Sequence, residues 1–101
     1  MFDKILEAPK KAEEIKSRLD TISVKSQVEG GKISVSATAN KTLTAIHIDP
    51  DFLKTAESEE LEDLLLTAIN KVLEQAEQVS QTEMQAATRD MMGGLGNLFG
   101  K

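Results

Sequence analysis

The sequence predicts an α+β fold in which a helix, a three-stranded antiparallel meander and a second helix follow one another. Three observations carry this reading. Residues Val28 to Leu53, VEGGKISVSATANKTLTAIHIDPDFL, hold a glycine pair, two alternating runs joined by a polar turn, and an Ile-Asp-Pro stop. Apolar residues at helical spacing flank that block on both sides, from Ile5 to Ile22 and from Leu61 to Val79. The length of 101 residues fits one domain at the small end of the usual range. Residues 1–92 read as a single α-β-β-β-α domain and residues 93–101 as a flexible, Gly-rich C-terminal tail.

In the first helix Ile5, Ala8, Ala12, Ile15, Leu19 and Ile22 are spaced 3, 4, 3, 4, 3, the a/d seam of a coiled coil. Pro9 is tolerated only in a first helical turn, so regular helix is expected from about Ala8. The pattern fades near Thr21. Val24, Ser26 and Val28 then alternate with Lys25, Gln27 and Glu29 as a short strand. Gly30-Gly31 supplies the positive φ of a tight turn. A phosphate-binding loop would lead into a helix, whereas a strand follows here. Ile33, Val35, Ala37 and Ala39 form one apolar face, with Ser34, Ser36, Thr38 and Asn40 on the other. Asn40-Lys41 makes the next turn, and Leu43 to Ile48 the third strand, with Ile46 and Ile48 on one face. About two residues are expected in each connection. Asp49-Pro50 ends the strand, because proline cannot donate to the ladder. Such a sheet has open edges, and a second copy would cover one of them.

Ser58 is expected to cap the last helix, with Glu59, Glu60, Glu62 and Asp63 in its first turn. Leu61, Leu64, Leu65, Ala68, Ile69, Val72, Leu73, Ala76 and Val79 give a broad apolar stripe. Beyond Val79 the stripe thins. The helix is expected to reach about Met91 and to stop at Gly93-Gly94.

Three Phe and no Trp or Tyr leave Leu, Ile, Val and Ala to build the core, and dimerisation is a natural way to add buried area. The absence of Cys rules out disulfide and thiolate chemistry. Met1 opens a charged stretch rather than an apolar h-region, and no apolar run approaches the length of a membrane span. A cytoplasmic protein with no membrane partner is expected. The net charge of −5 excludes a simple polycationic nucleic-acid binder, but it is unevenly spread. Residues 1–21 carry five basic and five acidic side chains, residues 22–49 three and two, and residues 50–77 two and eight. The last group sits where carboxylates offset the dipole of a helix start.

His47 is the only histidine, with no Cys or second His to complete a metal site, and reads as a structural or surface residue. Asp49 and Asp51 flank Pro50 and read as strand-ending and capping residues rather than an acid–base pair. Met84, Met91 and Met92 read as helix filler. No nucleophile–base pair or nucleotide fingerprint can be assembled, so no enzyme, cofactor, metal or small-molecule substrate is expected.

The order of these features resembles the YbaB/EbfC family of small bacterial nucleoid-associated proteins. The resemblance is carried by Val28-Glu29-Gly30-Gly31, the paired alternating strands, Ile48-Asp49-Pro50 followed by Phe52-Leu53, the helix holding Leu61-Glu62-Asp63-Leu64, Ala68, Asn70 and Ala76-Glu77, and the Met and Gly-Gly C-terminus. It implies a homodimer whose sheets join into one platform, with long helices projecting like tweezers. It also implies duplex DNA as the partner, bound in the nucleoid with little sequence specificity, and association with recombination or replication proteins. The chain departs from the family in three ways: its first helix carries Pro9 and lacks a Met- and Gln-rich opening, no extended glycine run follows Gly31, and only Lys71 and Arg89 are basic in the last helix before the C-terminal residue. The densest positive group is Lys10, Lys11, Lys16 and Arg18, and these are the candidate phosphate contacts. A protein–protein interaction module is the other reading, with an apolar groove lined by Met91, Met92, Leu95 and Phe99.

Overall fold

The computed structural model describes the backbone of residues 13–99 and the side chains of residues 13–89. The order is α1 (residues 13–20), β1 (Ser23–Val28), β2 (Ile33–Thr38), β3 (Leu43–Ile48), α2 (Pro50–Thr55) and α3 (Ser58–Phe99). The expected helix–meander–helix frame is present, with one short helix that the sequence reading lacks. The start of α1 near Ala8 lies outside the described residues.

The sheet has the order β1-β2-β3, antiparallel throughout. Alternation in β2 puts Ile33, Val35 and Ala37 on one face, where they are fully buried. Val24, Ser26 and Val28 pair with Ala37, Val35 and Ile33 and share that face. α3 covers it with Ala68 and Val72, and Leu61, Leu64, Leu65, Ile69 and Leu73 pack around them. The small Ala68 lets the helix come close enough for the Ser26 hydroxyl to donate to the Ala68 carbonyl at 2.6 Å, satisfying a polar group inside the core.

Both connections in the meander are longer than the expected two residues. Glu29–Gly31 forms a single 3₁₀ turn, with Lys32 completing the link to β2. Gly30 and Gly31 take positive φ as anticipated, but so does Glu29 at φ 54°. Residues 39–42 make the second connection, in which Lys41 sits at φ 67°. An Asn40-Lys41 hairpin becomes a four-residue turn because Lys41 N–H donates to the Thr38 carbonyl and Thr38 N–H to the Thr42 carbonyl, both at 2.9 Å.

Asp49-Pro50 ends β3 and also starts α2. The Asp49 carboxylate accepts from the Phe52 N–H at 3.0 Å, and Pro50 occupies the first helical position, where its missing N–H costs nothing. Phe52 is thereby turned toward the core, while Leu53 stays exposed. At the next helix start the Glu57 carbonyl accepts from Leu61 N–H at 2.9 Å, so Ser58 is the first helical residue rather than the cap. Gly93-Gly94 does not stop α3, which runs to Phe99.

At 42 residues α3 is about 63 Å long, while a six-residue strand spans only about 20 Å. Its first half therefore covers the sheet and its second half projects beyond it. The helix lies across β1 and β2 and leaves β3 largely uncovered. Leu43 and Ile46, which pair with Ala37 and Val35 on the helix-bearing face, are consequently 40% and 51% exposed. Thr44 is the extra residue of a bulge in this edge strand, between the Ser36–Ala45 and Ala37–Leu43 pairs.

Candidate nucleic-acid interface

The end of α1 is anchored by Leu19, which is 4% exposed, and by Ala39 N–H donating to the Ile22 carbonyl at 3.0 Å. The turn after β2 holds the helix from a second direction. Asn40 Nδ2 donates to the Lys16 carbonyl at 2.8 Å and to Asp20 Oδ1 at 2.5 Å. The next residue, Lys41, forms an ion pair with Glu77 on α3. Two adjacent turn residues thus tie both helices to the sheet. The Lys41 ammonium, with help from the Gln81 amide, holds the Glu77 carboxyl below its ordinary pKa. Stability from a carboxyl lowered in this way is present above its unfolded value and is lost as pH falls through the lowered folded one.

Of the four candidate phosphate contacts, Lys10 and Lys11 lie outside the described residues. Lys16 and Arg18 are both exposed on α1 but do not share a face, since two residues correspond to about 200° of helical rotation. Arg18 turns toward α3, where its Nε lies 3.1 Å from Glu83 Oε2. No sequence pattern signals this pair or the Lys41–Glu77 pair, because each joins residues that only the fold brings together.

On the projecting half of α3, Met84, Gln85, Thr88 and Arg89 share one exposed face of the helix. The apolar groove expected at Met91, Met92, Leu95 and Phe99 lies beyond the described side chains. His47 is exposed on β3. Among the described residues no group of three or more His, Cys, Asp or Glu side chains is placed to hold a metal, and no helix is long and apolar enough to cross a membrane.

A family model described as the YbaB/EbfC DNA-binding family matches residues 1–91. A nucleoid-associated protein of Flavobacterium johnsoniae is 38% identical over 98% of this chain and 94% of its own length. One from Bradyrhizobium diazoefficiens is 35% identical over 100% of this chain and 94% of its own. Among solved structures, an uncharacterized protein from Helicobacter pylori superposes with a TM-score of 0.63, covering 77% of this chain and 92% of that one at 23% identity, a likeness of fold alone. With a family match reaching from the first helix into the projecting half of α3, and relatives alike over nearly their whole length, the chain belongs to the YbaB/EbfC DNA-binding family.

Proposed function

We propose that the protein is a non-enzymatic, nucleoid-associated component that binds duplex DNA as a homodimer, with little sequence specificity, through Lys10, Lys11, Lys16 and Arg18. Membership of a DNA-binding family across almost the whole chain carries this reading. Relatives named as nucleoid-associated proteins support a nucleoid location. Lys and Arg neutralise phosphates without reading bases, which supports sequence tolerance. The −5 charge becomes −10 in a dimer, so binding works through local positive groups against an unfavourable overall field and favours low salt. Competition between labelled duplexes of unrelated sequence tests the reading. The affinities should differ by less than about tenfold, whereas a sequence reader separates specific from non-specific DNA by ~10³ or more. Discrimination of that size contradicts the proposal.

The second copy is assigned to β3. This strand has an open edge, and Leu43 and Ile46 on its helix-bearing face are exposed. Ile46→Lys should therefore weaken the dimer. Light scattering at micromolar concentration should give the parent twice the 11.0 kDa chain mass and shift the variant toward the single-chain value. A parent mass that stays near 11.0 kDa on concentrating contradicts the dimer, and an unchanged variant mass contradicts its placement at β3.

A protein partner is the second reading, linked to recombination or replication proteins. The exposed Met84 on the projecting half of α3 favours it, and it replaces the first reading if no duplex binds at low salt.

A further inference from the structure

We infer that Glu83 is a built-in competitor for DNA: its carboxylate occupies Arg18 in the free protein, and a backbone phosphate must displace it. The inference rests on the reading of Arg18 as a phosphate contact. Arg18 Nε and Glu83 Oε2 are 3.1 Å apart, and the two ends of the pair differ in exposure. The Arg18 side chain is 70% exposed and that of Glu83 22%. The carboxylate is therefore held against the protein while the guanidinium is open to solvent and to an incoming phosphate.

A guanidinium presents a planar fork of donors that fits a carboxylate and a phosphate alike, so one acceptor can replace the other without moving the arginine far. An exposed ion pair of this kind contributes at most about 1 kcal/mol, so it is open to exchange. Once Arg18 turns to a phosphate, Glu83 is left as an uncompensated negative charge close to the DNA. Both effects oppose binding.

The neighbouring contacts allow the pair to open without α1 leaving its place. Asn40 holds the Lys16 carbonyl and Asp20, Leu19 is buried, and Lys41 pairs with Glu77 on α3. The helices stay joined through the β2–β3 turn when Arg18 changes partner. Glu83 therefore sets affinity through the charge it presents to one side chain rather than through the fold.

Fluorescence anisotropy with one labelled duplex at fixed low salt tests this with four variants. Glu83→Gln removes the charge and keeps the shape. Glu59→Gln, at the exposed start of α3, makes the same change in net charge away from Arg18. Arg18→Gln and the Arg18→Gln/Glu83→Gln double variant complete a cycle. Glu83→Gln should tighten binding by up to about fivefold, the equivalent of one exposed ion pair. Glu59→Gln should change it less, and the gain from Glu83→Gln should shrink in the Arg18→Gln background, where only the repulsion between Glu83 and the duplex is left to relieve. Equal effects of Glu83→Gln and Glu59→Gln, or a gain that is undiminished without Arg18, overturns the inference while leaving DNA binding intact. Absence of binding by the parent and by every variant overturns both.

Discussion

Ile33→Ala is expected to lower the free energy of unfolding by about 2–5 kcal/mol. Ile33 is fully buried at the start of the central strand, between Val28 on β1 and Ile48 on β3. Its side chain belongs to the cluster that joins the sheet to Ala68 and Val72 of α3. Truncation removes three methyl-equivalent carbons and leaves a void that the backbone of a central strand cannot close, so the transfer and cavity costs add. With only eight fully buried hydrophobic residues among those described, few neighbours can repack to fill it. Urea denaturation at fixed protein concentration measures the loss, the fixed concentration being needed because a dimer adds a mass-action contribution. A change below about 0.5 kcal/mol, typical of a surface position, contradicts the packing of α3 on β2.

Replacing Lys10, Lys11, Lys16 and Arg18 together with Gln is expected to weaken DNA binding and to flatten its salt dependence. Each phosphate contact that is lost should reduce the log–log slope by up to about one unit. Because that slope sets how fast affinity falls with salt, losing several contacts changes affinity most at low ionic strength. The acidic residues Glu59, Glu60, Glu62 and Asp63 at the opposite end of α3 should not touch the duplex, and their replacement should act only through net charge. A quadruple variant that binds like the parent at every salt concentration excludes the first helix as the DNA surface.

The parts of the fold legible in the sequence are those where burial enforces a period. β2 shows its alternation because Ile33, Val35 and Ala37 are all fully buried on one face. α3 shows its stripe because Ala68, Val72 and Ala76 must pass close to the sheet. β3 is equally legible as a strand, but its exposure is not. Leu43 and Ile46 have the composition of core residues, and only the path of α3 leaves them open. α2 escapes notice because Asp49-Pro50 serves two ends at once, stopping β3 and capping a helix of only six residues. The turns are longer than expected because Glu29 and Lys41 adopt positive φ without being glycine. Gly93-Gly94 is a weak stop for the opposite reason: glycine inside a helix costs about 1 kcal/mol relative to alanine but removes no hydrogen bond.

The candidate site is less legible than the fold. Lys16 and Arg18 are identifiable as cations from the sequence, but their partners are not. Glu83 lies far along the chain from Arg18, on the half of α3 where the apolar pattern has thinned, and nothing local marks it. Asn40 and Lys41 read as turn residues, yet they also hold α1 and α3 together. The charge balance of the chain likewise obscures the site, since a net −5 coexists with five basic side chains in residues 1–21.

On the proposed reading, the protein grips duplex DNA by neutralising phosphates. The affinity of the parent protein for a labelled duplex, measured across a series of salt concentrations, tests it most directly. Binding should be detectable at low salt, and the logarithm of the association constant should fall linearly with the logarithm of the salt concentration. With four candidate cations per chain, and eight in a dimer, the slope should be several units and no steeper than about −7. No detectable binding at the lowest salt, or an affinity indifferent to salt, would rule out a grip on phosphates.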